Sequence, residues 1–386
     1  MKNVRLGIVG LGNMGGSHAT QILSGKIPRL TLAAVCDTDA KKLKRFDDQP
    51  EVQQFADSKA MIRSGAMDAI LIATPHYFHT TIGVDALNAG LHVMSEKPIS
   101  VHKADAEKLI AAHKGGKKQV FAAMFNQRTD PFYIKIRHLI ESGELGEIRR
   151  INWIITNWFR PEAYYASGGW RATWAGEGGG VLLNQCPHNL DLFQWMFGMP
   201  ARVRANCTLG RYHDIEVEDD VTAYMEYPNG ATALFVTSTG EAPGTNRLEV
   251  TAERGRLIYE NDTLTFTRNE VPTAEFSRTT EAAFSKPETW DITLPVSGHG
   301  GQHNAILANF TAAILDGTPL IAPAAEGIRS VELANAMLFS SFKDKTIELP
   351  MSAAAYATQL KRLVAGSKGK KKKVVREAVV DMAKSF

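Results

Sequence analysis

Cysteine is scarce in this chain. Cys36, Cys186 and Cys207 are the only three, odd in number and without a CxxC spacing. That excludes a disulfide framework and a cysteine-built zinc site, and it points to reduced thiols in a cytoplasmic protein. Long apolar runs are also missing. The apolar start, Val4 to Leu11, is too short and glycine-rich for a signal peptide, and no stretch is long enough to span a bilayer. Excess charge of one sign is lacking too: 44 Lys and Arg against 41 Asp and Glu leave +3. Such a balance gives no reason to expect nucleic acid or a membrane as partner. The one dense basic run, Lys368 to Lys373, reads as a solvated tail, and there is no internal repeat.

What is present is the composition of a globular protein, 44% hydrophobic and 22% charged. At 386 residues the chain is too long for one ordinary core. It divides into a dinucleotide-binding domain over residues 1–125, an α+β domain over 126–350 for substrate and oligomerisation, and a helical, basic tail over 351–386.

The first part alternates strand and helix. Val4 to Val9 reads as a buried strand that runs into Gly10-Leu11-Gly12-Asn13-Met14-Gly15, with a helix from Met14 to Leu23. Glycines there permit a tight turn and let the backbone approach a pyrophosphate at the helix N-terminus. A second strand, Thr31 to Val35, ends at Asp37, about 20 residues beyond the loop, where an acid binds the adenosine ribose hydroxyls. A carboxylate repels a 2′-phosphate, which favours NAD over NADP, although Lys41 and Lys42 lie close by. Ala69 to Ala73 is a continuous apolar run suited to a central parallel strand. Thr74-Pro75 follows it, then a helix from His79 to Asn88 stopped by Gly90. The strand Leu91 to Met94 runs into Ser95-Glu96-Lys97-Pro98, where Pro98 extends the lysine past the strand end. In isolation Glu-Lys-Pro reads as a surface turn. Set at the carboxyl edge of an open α/β sheet, beside the glycine loop, Asp37 and Thr74, it falls where such sheets bind ligands.

From Asn126 the pattern changes to strands without intervening helices, among them Arg202 to Leu209, Asp220 to Tyr227 and Ala231 to Ser238, with Pro228-Asn229-Gly230 as a hairpin turn. The expected product is an antiparallel or mixed sheet. Residues 268–300 read as irregular, and two helices, His303 to Leu315 and Ala325 to Phe342, finish the fold. One face of this sheet should pack on helices and the other against a second copy, giving a homodimer or homotetramer.

A second polar constellation follows Gly178-Gly179-Gly180. Read as a helix, Asn184, His188 and Asp191 share one face of an otherwise apolar segment that Pro187 should bend or break. A buried His held by an Asp serves structure as often as catalysis, and the triple glycine favours catalysis. Tyr164, Tyr165, Trp170, Arg171 and Trp174 crowd the preceding glycine-containing loop. Aromatics suit the apolar faces of sugar rings, and an arginine suits a phosphate or a substrate oxygen.

Taken together, the glycine loop, Thr74-Pro75 with His79, Glu96-Lys97-Pro98, and the triple glycine with His188 and Asp191 resemble the glucose-fructose oxidoreductase, inositol dehydrogenase and MocA family over roughly residues 3–345. The resemblance implies a Rossmann domain followed by an α+β domain with an open-faced, mainly antiparallel sheet. It also implies NAD(P)-dependent oxidation of a sugar or polyol hydroxyl, with Lys97 catalytic and His188 the general acid/base. Expected cofactor contacts are Gly10, Gly12, Asn13, Met14, Asp37, Thr38, Thr74, Pro75, His79, Glu96, Lys97, Trp170 and Arg171, and no metal is expected. Expected substrate contacts are Lys97, Arg160, Tyr164, Asn184 and His188, with Trp170, Asn189, His299 and His303 as further candidates. Many members carry Asp four residues before the histidine, where this chain has Asn184. A hydrogen bond survives that change; a proton acceptor does not. Two other activities fit the same residues: glycoside cleavage by transient oxidation with a retained NAD, and non-catalytic sensing of a sugar or dinucleotide.

Overall fold

The structure, a computed structural model, describes residues 3–114 and 119–367, and the basic run beginning at Lys368 lies outside the described residues. The first third comprises β1 Val4–Val9, α1 Asn13–Leu23, β2 Leu30–Cys36, α2 Ala40–Leu43, β3 Gln53–Phe55, α3 Ser58–Arg63, β4 Ala69–Ile72, α4 Tyr77–Asn88, β5 His92–Ser95, α5 Lys103–Ala112 and β6 Phe121–Ala123. Its strands form a six-stranded sheet in the order β3-β2-β1-β4-β5-β6, every pair parallel. That is the order of a doubly wound dinucleotide-binding domain, whose ligand edge lies at the strands' carboxyl ends. All four residues of β4 are buried, as a central strand covered on both faces requires.

Glycine makes the first turn possible. Gly10 has φ +91°, and a Cβ on Gly15 would lie 1.8 Å from the Gly10 carbonyl oxygen, so helix and strand close only with glycine there. Some other helices begin on a capping side chain. The Asp57 carboxylate accepts the Ala60 N–H at the start of α3, and Asp130 accepts the Phe132 N–H just ahead of Pro131.

The second sheet is built from β7 Ile148–Ile155, β8 Arg202–Leu209, β9 Glu218–Glu226, β10 Thr232–Ser238, β11 Asn246–Ala252, β12 Gly255–Glu260, β13 Thr263–Asn269, β14 Thr289–Thr293 and β15 Ile347–Glu348. Among the described residues it has nine strands, and only the β7–β10 pair is parallel. The helices of this half are α6 Pro131–Glu141, α7 Glu162–Ala166, α8 Pro187–Phe197, α9 Thr273–Thr279, α10 Gln302–Asp316, α11 Gly327–Lys343 and α12 Ala353–Gly366. Trp153, Val221, Ala223, Phe235 and Val250 alternate along the strands and bury one face against α8 and α11.

The stretch expected to be irregular holds α9, β14 and the end of β13. In β14 only Ile292 is even half-buried, so the strand leaves no apolar alternation to read. The linear domain boundary is crossed as well. Ile306, Leu307 and Phe310 of α10 belong to the core of the first sheet, whereas Tyr356 and Leu360 of α12 belong to that of the second. A buried ion pair of 2.7 Å between Lys103 and Glu332 ties α5 to α11. Among the described residues, no helix is long and apolar enough to cross a membrane.

Candidate active site

The carboxyl edge of the first sheet has the features of a dinucleotide site. Gly12, at the start of α1, has nothing within 4 Å of where a Cβ would stand, and no side chain caps the helix, so its first N–H groups keep their anion-binding polarity. Gly12, Asn13 and Thr38 are exposed there, with Met14, Thr74 and Pro75 half-buried. Asp37 closes β2 and accepts the Leu11 N–H at 2.7 Å and the Asp39 N–H at 2.9 Å, tying the glycine loop to the strand end. Lys42 Nζ stands 3.2 Å from the same carboxylate, so one of the two lysines that could greet a phosphate is already engaged by the acid. A carboxylate offers about four acceptor positions; the two backbone N–H groups take two, and the remainder, now facing the partly exposed Lys42, are those that ribose hydroxyls would use. The Thr74 hydroxyl is buried and unpartnered. Open glycine, uncapped helix, acid and orphaned hydroxyl together fit a nicotinamide dinucleotide.

Two of the residues expected to touch cofactor are committed elsewhere. The His79 ring, 1% exposed, lies 2.8 Å from the Pro98 carbonyl and 2.7 Å from that of Thr74; as a neutral ring it donates to one of the two, and both nitrogens face backbone oxygens of the ligand-edge loops. Glu96 is bonded to His18 Nε2 at 2.7 Å inside the domain. Burial pushes its carboxyl up, but the hydrogen bond and field of His18, with His303 and Lys97, outweigh that and hold it at about 2.

The two domains meet at Lys97. Its ammonium donates to the Asn184 carbonyl at 2.7 Å, His76 faces the Glu177 carbonyl at 3.2 Å, and Tyr77 donates to the Trp174 carbonyl at 2.7 Å. Burial lowers the Lys97 ammonium; Glu96 and Glu177 oppose this, while Arg160 and Arg171 add to it. His188 is 3% exposed, and its Nδ1 has no hydrogen-bond partner. Burial holds this imidazole well below its ordinary value, and Lys97 and His303 push it the same way. It is therefore a neutral base near pH 7. On the Asn184 side of the seam, Tyr164 donates to Asn184 Oδ1 at 3.0 Å and receives Arg171 at 2.9 Å, and the Arg160 and Arg171 guanidiniums lie 5.3 and 4.5 Å from the Tyr164 ring centre. Trp170 meets His76 edge-on, which carries this loop to the Thr74 end of the dinucleotide edge.

The polar stripe expected on one helix does not exist as such. α8 begins at Pro187 in its first turn, where the ring fits the helix and disfavours helical backbone before it. Asn184 thus lies in the turn ahead of the helix. Asp191 is not the partner of His188. It makes two 2.7 Å bonds to Arg128, both side chains 1% exposed. Asn189, a candidate substrate contact, accepts the Trp158 N–H at 3.0 Å in the core, and His299 faces Asp130 at 3.3 Å. The residue that sequence reasoning missed is Glu177, buried and bonded to the Asn184 amide. Its signal is local: a single acid stands inside the run Gly176 to Gly180.

Comparison with known proteins agrees with this geometry. Two family models match, "Oxidoreductase family, NAD-binding Rossmann fold" over residues 4–124 and "GFO/IDH/MocA C-terminal domain" over residues 133–258. Inositol 2-dehydrogenase of Corynebacterium glutamicum is 28% identical over 59% of this chain and 65% of its own length, just under two thirds. An uncharacterized oxidoreductase of Bacillus subtilis, YrbE, is 26% identical over 71% of this chain and 78% of its own. Among solved structures, the WlbA dehydrogenase of Bordetella pertussis, in complex with NADH and UDP-GlcNAcA, shares the fold with a TM-score of 0.76 at 23% identity, covering 91% of this chain and all 100% of that one. Levoglucosan dehydrogenase in complex with NADH and levoglucosan does so at 0.73 and 19%, with the same coverage. With a dinucleotide edge in one domain and the matching second domain supplying His188 and Asn184, this chain belongs to the Gfo/Idh/MocA family of oxidoreductases, its first domain an NAD-binding Rossmann fold.

Proposed function

We propose that this protein is an NAD-dependent oxidoreductase that moves a hydride between the cofactor and a secondary hydroxyl or ketone of a sugar, glycoside or inositol-like polyol. The observation that carries this reading is a buried, neutral His188 with an unpartnered Nδ1, electrostatically coupled to an ammonium held across the domain seam. The glycine loop, the start of α1, Asp37 and Thr74-Pro75 would hold NAD, with Trp170 and Arg171 closing over that edge. When bound, NAD supplies the hydride acceptor.

His188 removes the hydroxyl proton as the carbinol C–H bond breaks, and the C–O bond becomes a carbonyl. A neutral imidazole is the form that can accept this proton. Lys97 donates a hydrogen bond to the oxygen as negative charge grows on it, an interaction strengthened by the scarcity of water around a half-buried ammonium. Arg160, Tyr164 and Asn184 orient the remaining hydroxyls. In the reverse direction the same imidazole returns the proton. The names of the relatives support a polyol or sugar as substrate: inositol for one and levoglucosan for another. A panel of monosaccharides, glycosides and inositols with NAD, read as NADH absorbance, tests the proposal. Turnover by at least one class is expected; no reduction by any class would overturn it.

The sheet face opposite α8 carries Tyr224, a large side chain left exposed. This supports a homodimer or homotetramer through that face, and light scattering should give a mass well above the 42.3 kDa of one chain. A monomer at micromolar concentration would refute it.

A further inference from the structure

Resting on the oxidoreductase reading, the structure answers how the site works without an acid at position 184. Glu177 is 3% exposed. The backbone on either side of it is packed tightly: a Cβ on Gly176 would meet the Trp170 carbonyl oxygen at 2.2 Å, and one on Gly178 would meet Val101 of the first domain at 2.1 Å. The carboxylate is therefore aimed by a backbone with little freedom. Oε2 accepts the Ala172 N–H at 2.6 Å, and Oε1 accepts the Asn184 side-chain amide. A carboxylate only accepts, so it turns the Asn184 NH2 toward itself and the amide oxygen the other way. That oxygen receives the Tyr164 hydroxyl at 3.0 Å and Gln185 Nε2 at 3.1 Å. The backbone carbonyl of the same asparagine takes Lys97 Nζ. One carboxylate thereby orders an acceptor beside the reacting groups and faces the ammonium across the domain seam. Of the other acids nearby, Glu96 is bonded to His18 and Asp191 to Arg128, while Glu218 accepts the Leu182 N–H through Oε1 and makes no bond to Asn184.

We propose that Glu177 is a positioning residue that supplies from the glycine run the carboxylate that position 184 lacks, fixing the Asn184 amide with its oxygen toward Tyr164 and balancing the Lys97 charge. The charged groups facing Lys97 are Glu96, Glu177, Arg160 and Arg171, and the histidines coupled to it are His76, His79, His188 and His303. Glu177 and Glu96 are the two of these that favour its ammonium form. Burial raises the Glu177 carboxyl itself, and Arg171, the Ala172 N–H, Asn184 and Lys97 oppose that.

The test reads Lys97 without a substrate. Competitive labelling with acetic anhydride across pH, quantified by mass spectrometry for the Lys97 peptide, gives its titration in the full-length protein, in Glu177→Gln and in the swap Glu177→Gln/Asn184→Asp. Removing an opposite charge at this range should lower the Lys97 titration by about one unit or more, and the swap should restore it. An unchanged titration in folded Glu177→Gln overturns the proposal. Should that variant not fold, Asn184→Asp alone decides: two touching carboxyls share a proton, so infrared spectroscopy should show a protonated carboxyl near neutral pH in addition to that of Glu218, which burial pushes up to about 7 in the parent too. Its absence also overturns the proposal. Once a substrate is in hand, Glu177→Gln should lose roughly 10-fold or more in kcat/KM on the alkaline side, with recovery in the swap. Neither the labelling nor the infrared readout depends on turnover, so a silent sugar panel would refute the proposed activity and leave this assignment standing.

Discussion

Replacing Asp191 with asparagine separates two readings that the sequence alone leaves joined. In the structure Asp191 and Arg128 form a two-pronged ion pair, and Gln194 donates to the same carboxylate at 3.1 Å. Removing one partner of a buried pair leaves the other charge uncompensated and costs about 3–5 kcal/mol. Arg128 also holds Glu326 at 2.6 Å, and that partly exposed carboxylate stays in the variant. The lower end, about 3 kcal/mol, is therefore expected. For a domain of some two hundred residues this is a fall of roughly 6–12 °C in Tm. The assay is thermal unfolding by circular dichroism, paired with the pH dependence of kcat/KM. Because Asp191 does not touch His188, the acid limb should stay where it was while stability falls. A variant with unchanged Tm and a displaced acid limb would show that Asp191 serves His188 after all, and the ion-pair account would be wrong.

Cofactor choice and acid stability give further checks. Asp37→Ser should weaken NADH binding by roughly 10- to 100-fold, the worth of hydrogen bonds to a charged group, and narrow its preference over NADPH; fluorescence titration of both cofactors reads this, and an unaltered NADH affinity would contradict it. Burial depresses His76, His79 and His188 below their ordinary value near 6.5. A depressed folded pKa means stability is fully present above the unfolded value and is lost as pH falls below it, by up to about 1.4 kcal/mol per unit for each histidine. Glu96, held at about 2 from an ordinary 4.5, extends the loss to lower pH. Glu218, pushed up to about 7 by burial, works in the opposite sense, and His303, held at about 4, adds to the loss. On balance urea midpoints should drop below about pH 6.5, most clearly in Glu218→Gln, and a flat profile to about pH 4.5 in that variant would refute the buried neutral histidines.

The dinucleotide half was largely legible because its signals are local. Glycines in the first turn, an acid at the end of β2 and the all-apolar β4 each follow from a few neighbouring residues. Lys97 was legible for the same reason, through the proline after it and the strand before it. What escaped was decided at long range. Asp191 looked like a helix-face neighbour of His188, but its partner lies 63 positions upstream. Glu96 looked free for a cofactor, whereas His18, 78 positions upstream, claims it. The start of α8 was misjudged in the opposite way. In sequence Pro187 reads as an interruption, and its place in the first turn makes it a beginning. Glu177 stands among glycines that carry the stronger local pattern, and its partners, Ala172 and Asn184, are fixed only by the folded loop.

The most direct test of the central claim compares the parent protein with His188→Ala, using the best substrate of the sugar and polyol panel and following NADH formation. With His188 as the proton acceptor, the variant should bind NADH as the parent does and lose roughly 10²–10⁴-fold in kcat. Near-parental turnover in the folded variant would contradict the assignment and return the proton transfer to another group.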